Sequence, residues 1–219
     1  MKKYTLLIIV FVSIALLFTI SQEKNIDPTQ NDSITDELYE HPKFKRWINF
    51  WELKIPELQN FIIENTETLK WRPPHKVKLD GWIQEREIRK YSLNFSAKKD
   101  YVVDIYSNFV FEYGNDTIHI LGGDIDASFQ IVNLTDSVRY WYTEGPYAFF
   151  DESIWLSDSI CYILGFIIDA NAGGYCKVMI IMWDFSRKLL VRFRSQEFPL
   201  YKEYIKVRTY MNYLYPEFK

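Results

Sequence analysis

The residues that most often announce chemistry are scarce in this sequence. Three histidines and two cysteines occur among 219 residues. His41, His75 and His119 share no ligand spacing, so no tetrahedral metal centre is expected. Nucleophile elbows of the G-x-S-x-G form, Walker-type phosphate loops and paired C-x-x-C motifs are missing. That leaves no recognisable set for acyl transfer, nucleotide phosphate binding or dithiol redox work, and no cofactor is expected. A surplus of positive charge is missing too: Lys and Arg number 26 against 29 Asp and Glu, a formal charge of −3. Nucleic acid is normally held by cations clustered on one face. Pairs such as Lys45-Arg46 and Arg187-Lys188 stand isolated and read as solvated surface, so nucleic acid is not an expected partner.

With two cysteines, one disulfide is the most the chain could form internally. Cys161 and Cys176 flank ILGFIIDANAGGY, which reads as a hairpin turning near Ala170 to Gly173. In that register Cys176 sits opposite a residue near Ile167, roughly 20 Å along the strand from Cys161. A bridge needs Cα atoms within about 7 Å. Two buried free thiols are expected.

What is present begins at the front. Lys2 and Lys3 precede an apolar run, Thr5 to Ile20, and Ser21 to Asn25 is polar. This is the pattern of a secretory signal peptide. An uncleaved anchor is the alternative, since the run falls just short of the ~17–25 residues that span a bilayer. Both readings export everything after Ser21, to the periplasm or cell envelope, with any membrane attachment made through residues 5–20. Residues 1–21 are therefore read as the targeting segment, 22–32 as a polar spacer, and 33–219 as one domain.

That domain is expected to be α+β. Ser33 and Asp36 are spaced as a helix start, and Pro42 suits the first turn of a helix. Phe44, Trp47, Ile48 and Trp51 recur on one helical face, and Leu58, Phe61 and Ile62 continue an apolar stripe. Residues 34–70 thus read as two or three short helices. Across 82–194 the period becomes two. Strands are expected at 91–95, 101–106, 109–113, 117–121, 128–134, 138–143, 160–168, 176–184 and 189–193, with YGNDT, LGGD, NLTDS and TEGP as turns. Tyr162, Leu164 and Phe166 on one face and Ile163 and Ile167 on the other make 160–168 apolar on both sides. The 176–184 strand shares this character, so both belong in a sheet covered on two faces. Helical spacing returns at 199–215, with Pro199 in its first turn. The fold expected is an antiparallel β meander of about eight strands, with short N-terminal helices and one C-terminal helix. SIWLSDSICYILG, Ser153 to Gly165, has the strand–turn–strand grammar of a propeller blade, but a closed propeller needs about four blades or more, and there is room for about half that.

Candidate site residues are few. Glu144, Asp151 and Glu152, in and beside TEGPYAFFDESIW, are the carboxylates that could do glycosidase work if held ~5–9 Å apart. Asp124 and Asp126 in GGDID could begin a Ca²⁺ site, though the remaining acidic positions of a calcium loop are missing and a tight turn is the plainer reading. Aromatics make up 18% of the chain. Most alternate into core faces, while Trp141, Tyr142, Tyr147 and Trp155 are candidates for an exposed surface that stacks on sugars or contacts protein.

SAKKDYVVDIYSNFVFEYG, HILGGDIDASFQIVNLTDS and FFDESIWLSDSICYILGFIID together resemble a family of exported Bacteroidetes proteins with propeller-blade-like β repeats. The matching stretches are Ser96–Asp104, Gly122–Asp126, Ser128–Leu134 and Trp155–Gly165. The resemblance implies export and a β-rich build, and carries no catalytic residues. The chain lacks a lipid-anchoring cysteine after the apolar run. The dipeptides at Asp32, Asp116, Asp136 and Asp158 also look like the Asp-Ser/Thr-aliphatic sites that such proteins O-glycosylate, or else like turn dipeptides ahead of strands. The reading reached is an exported, non-catalytic domain that binds an envelope protein or glycan. The alternatives are a glycan-acting hydrolase using the loop carboxylates, or a scaffold whose sheet edge pairs with a partner strand.

Overall fold

In the computed structural model of this protein, residues 34–52, 58, 61–68, 75–76, 93–107, 109–114, 117–123, 126–169 and 175–199 are described. Among these residues two helices come first, α1 (Asp36–Glu40) and α2 (Pro42–Glu52). Thirteen strands follow: β1 (Ile62–Thr68), β2 (His75–Lys76), β3 (Leu93–Phe95), β4 (Tyr101–Asp104), β5 (Phe109–Gly114), β6 (Thr117–Gly123), β7 (Ser128–Asn133), β8 (Val138–Thr143), β9 (Ala148–Trp155), β10 (Ile160–Asp169), β11 (Tyr175–Asp184), β12 (Leu189–Arg194) and β13 (Phe198–Pro199).

The helix starts are local chemistry. Thr35 has extended backbone and its hydroxyl accepts from the Leu38 N–H at 3.3 Å, capping α1. The cap is therefore Thr35 rather than the expected Ser33–Asp36 pair, and Ser33 lies outside the described residues. Pro42 opens α2, where its missing N–H costs nothing, and the His41 Nδ1 accepts from the Lys43 N–H at 3.2 Å. Phe44, Trp47, Phe50 and Trp51 form the buried face of α2, with Ile48 packed beside it.

Over Ile62–Thr68 the helical expectation fails, while 53–57, 59–60 and 69–70 lie outside the described residues. Ile62–Thr68 is an edge strand paired antiparallel with β12. Its β-branched Ile62, Ile63, Thr66 and Thr68 favour extended backbone over helix, and the stripe through Leu58, Phe61 and Ile62 was too short to outweigh them. The helix expected at 199–215 lies outside the described residues, except that Pro199 ends β13, whose two residues pair with Tyr175 and Cys176.

The single eight-strand meander is also corrected. The strands form a six-stranded sheet, β1-β12-β11-β10-β9 with β13 on β11, a five-stranded sheet, β2-β8-β7-β4-β3, and the separate β5–β6 hairpin. Every pairing is antiparallel. The chain changes sheets at Glu144–Tyr147, which overlaps the TEGP turn, between β8 and β9. One sheet could not have sufficed, because β10 and β11 are apolar on both faces and each face needs a cover.

Both covers are present. On one face of the larger sheet, Tyr162, Leu164, Phe166, Val178, Ile180 and Met182 pack with α1 and α2 around Leu38, Phe44, Trp47 and Trp51. On the other face, Ile163, Met179, Ile181 and Trp183 pack against Val103, Phe129 and Ile131 of the smaller sheet. The result is three layers: helices, six strands, five strands. Most of the described aromatic residues fill these two seams. Phe129 alone stacks on Tyr142 at 4.9 Å and meets Phe150 and Trp183 edge-on at 5.0 and 5.8 Å, and each such ring contributes roughly 1.5–3 kcal/mol by burial. The two cysteines are free and buried, as expected. Cys161 lies in the seam between the sheets and Cys176 in the seam under the helices; their strand partners are Trp183 and Ile168.

Candidate functional site

The acidic candidates sit on strands, and two bulges decide where they point. In β9, Phe150 pairs with Gly165 and Glu152 with Leu164, so Asp151 is an extra residue without a partner across the ladder. A bulge re-aims the side chains around it. Here it turns Phe150 into the seam between the sheets and directs both Asp151 and Glu152 toward α2. Gly165 permits the bulge, because a Cβ at that position would lie 2.1 Å from the Phe149 carbonyl oxygen.

Asp151 is buried, and its Oδ2 accepts from two indoles of α2, Trp47 Nε1 at 3.0 Å and Trp51 Nε1 at 3.2 Å. Burial pushes this carboxyl up to about 7; the indole hydrogen bonds oppose the rise and the neighbouring Glu152 adds to it. Glu152, also buried, takes two cations from the same helix: Lys43 Nζ at 3.1 Å on Oε1 and Arg46 Nη2 at 2.9 Å on Oε2. Both acids therefore fasten α2 to the sheet. Expected as loop residues, they are strand residues facing inward.

Glu144 belongs to a different cluster. In β1 the residue skipped between Ile63 and Asn65 is Glu64, another acid at a bulge. Glu64 Oε2 meets Arg194 Nε at 2.6 Å and Arg192 Nη1 at 3.8 Å. Glu144 meets Arg192 at 3.4 Å and Arg194 at 3.7 Å. Tyr142 joins them, its hydroxyl donating to Glu144 at 2.5 Å and accepting from Arg192 at 2.6 Å. Burial, then the charge of Glu144, pushes the Tyr142 phenol up. The arginine side chains are 17% and 15% exposed, so the polar face of β12 points into the seam beside the smaller sheet, not to solvent. Tyr142→Phe, which removes the bridging oxygen but not the ring, is expected to cost about 1–2 kcal/mol in urea unfolding.

Glu144 thus lies on the side of the larger sheet that faces the smaller one, and Asp151 and Glu152 on the helix side. The sheet brings two of the three together and separates the third. Asp126 is exposed and Asp124 lies outside the described residues; among the described residues no group of three His, Cys, Asp or Glu is placed to hold a metal. The side chains of His75 and His119 also lie outside them.

The aromatic candidates divide likewise. Tyr142 is in the seam. Trp155 is half-buried, donates its Nε1 to the Asn94 carbonyl at 3.0 Å and stacks on Phe185 at 6.1 Å. Trp141 and Tyr147 remain exposed, at 42% and 51%. Trp141 donates to Thr143 Oγ1 at 2.9 Å, and the Arg139 guanidinium lies 5.3 Å above its ring. The Asp136 and Asp158 dipeptides stand in hairpin turns. Asn133 Oδ1 accepts from the N–H groups of Thr135 and Asp136, Ser137 takes φ 55°, and Asp158 pairs with Lys98 at 3.2 Å.

The partners Lys43, Arg46, Trp47 and Trp51 were not anticipated from sequence. Their signal is a helix whose cations are three apart and whose tryptophans are four apart, which puts two charges and two indole donors along one side. Arg192 and Arg194 gave no signal distinct from an ordinary solvated strand face.

Comparison with protein-family models, with curated proteins and with solved structures found no match.

Proposed function

We propose that this chain is an exported, non-catalytic binding domain whose partner is an envelope protein or a glycan. The observation that carries the reading is the fate of the carboxylates. Each of Glu144, Asp151 and Glu152 is taken up by internal donors, and Glu144 is divided from the other two by a sheet. A glycosidase needs two carboxyls flanking one substrate bond. Asp151 and Glu152 are adjacent, but the first is roofed by two indoles.

The edge-pairing alternative is disfavoured by both rims of the larger sheet. On β9 the Ser153 carbonyl already accepts from Asn94 Nδ2 at 2.7 Å and Lys43 Nζ at 3.3 Å. On β1 the bulge at Glu64 and the charge of Glu67 blunt the edge. Trp141 and Tyr147 are the surface positions the binding reading offers. Export rests on Lys2, Lys3 and the run Thr5–Ile20, which lies outside the described residues; among those, no helix is long and apolar enough to cross a membrane.

A tagged full-length copy recovered from its native cells is expected to begin near Gln22 and to carry a stoichiometric protein or glycan. The combined Trp141→Ala and Tyr147→Ala changes are expected to weaken that association at least tenfold. A bait recovered alone, or one whose association ignores both changes, would contradict the reading.

A further inference from the structure

We propose that α2 is a pH-sensitive latch, held on the sheet while the Asp151 carboxyl beneath it is protonated and loosened when that carboxyl ionises.

The geometry is specific. Among the described residues, the direct donors to the Asp151 carboxyl are two neutral indoles on one turn of α2, both reaching the same oxygen. The cations of α2, Lys43 and Arg46, are aimed at Glu152. Those indole donors favour the ionised form, but burial outweighs them, and the other described groups around Asp151 do little to welcome a negative charge. Glu152 follows it on β9 with a charge of the same sign, and Cys176 approaches from β11 as a thiol whose own ionisation burial opposes. Tyr106, after β4, donates to the Asp151 main-chain oxygen at 3.3 Å and leaves the carboxyl alone. His41, ahead of α2, is pushed toward its neutral form by its partial burial and by Lys43, against the pull of Glu152 and Glu37.

The direction follows from linkage. Docked, the carboxyl keeps its proton up to about pH 7; in water, with the helix lifted, it ionises near pH 4. The lifted form therefore gains on the docked form as pH rises from about 4 to about 7, and the gain levels off above that. Between pH 5 and 8 the lifted population should grow on the order of 10²-fold.

The two thiols supply a built-in readout. Cys176 is buried in the seam under the helices and Cys161 in the seam between the sheets. Lifting α2 uncovers the first and not the second, whereas global unfolding uncovers both. The full chain would be pulsed with iodoacetamide across pH 5 to 8, and the alkylation of each cysteine read by peptide mass. Dividing each rate by that of a free cysteine peptide alkylated alongside removes the intrinsic pH dependence of thiol chemistry, and a Cys176 rate above that of Cys161 distinguishes lifting from global unfolding. In the native sequence the corrected Cys176 rate should exceed that of Cys161 and climb by the factor above, levelling beyond neutrality. In Asp151→Asn, which keeps an oxygen for the indoles but cannot ionise, it should stay flat. In His41→Gln the climb should persist. A flat corrected Cys176 rate in the native sequence, or one equal to that of Cys161 at every pH, overturns the latch whether or not either variant folds; so does an undiminished climb in Asp151→Asn, or a climb that vanishes with His41→Gln.

Discussion

Gly165→Ala is expected to destabilise the protein by ~3 kcal/mol or more, a large share of the ~5–15 kcal/mol that typically holds a domain. The added methyl would sit 2.1 Å from the Phe149 oxygen and 3.1 Å from both the Phe149 carbonyl carbon and the Phe150 Cα. All three are backbone atoms, so no side chain can swing aside. Relief requires β9 to move away from β10 at the bulge, which carries Asp151 away from the indoles of α2. Two readouts should change together. The urea midpoint should fall by ~1–3 M, given a slope of ~1–3 kcal/mol per molar, and tryptophan emission of the folded state should shift as Trp47 and Trp51 lose their shared acceptor. A midpoint within ~0.3 M of the native value would contradict this placement of the bulge.

The second large effect concerns Asp151 itself. Asp151→Ala removes the acceptor for two buried indole N–H groups, and each donor left unsatisfied costs about 1–3 kcal/mol. Asp151→Asn keeps an oxygen in place and should cost far less at low pH. Its behaviour with pH carries the larger number. A carboxyl raised to about 7 by burial holds its proton in the folded state while the unfolded chain loses it near 4. The native protein should therefore lose stability relative to Asp151→Asn as pH rises from 4 to 8, by ~4 kcal/mol in all. Other carboxylates titrate equally in both proteins and cancel in the difference. Urea unfolding of the pair at pH 4, 6 and 8 measures it; a constant difference would mean that Asp151 titrates in the folded protein as it does in the unfolded chain.

The sequence made some layers legible and hid others for physical reasons. The double-faced apolar strands around Ile163 and Ile180 announced a covered sheet, and α2 announced an aromatic face able to cover it. Hairpin turns such as NLTDS and the free thiols were equally open to reading, because both depend on neighbours close in sequence. The split into two sheets was not, since β8 to β9 reads like any other turn; only the need to cover the second face of β10 and β11 demands a partner layer. The acids were hidden more deeply. Alternation predicts that Phe150 and Glu152 share a face, and the bulge at Asp151 breaks it. Its only trace is a glycine, Gly165, in an apolar strand, which is a recognised sign of a bulge or close backbone approach. Glu64 repeats the device on the opposite rim without a glycine to mark it. Carboxylates that looked like loop chemistry thus became fasteners between layers.

The central claim is that Glu144, Asp151 and Glu152 hold layers together and do no chemistry. Its most direct test is a paired measurement on the native protein and on Glu144→Gln, Asp151→Asn and Glu152→Gln. Hydrolysis of a panel of envelope glycans would be followed alongside urea stability at pH 7. The account predicts no turnover by any of the four proteins, with stability shifts of about 1–2 kcal/mol where an ion pair is lost. Turnover by the native protein that disappears in a variant of unchanged stability would contradict it.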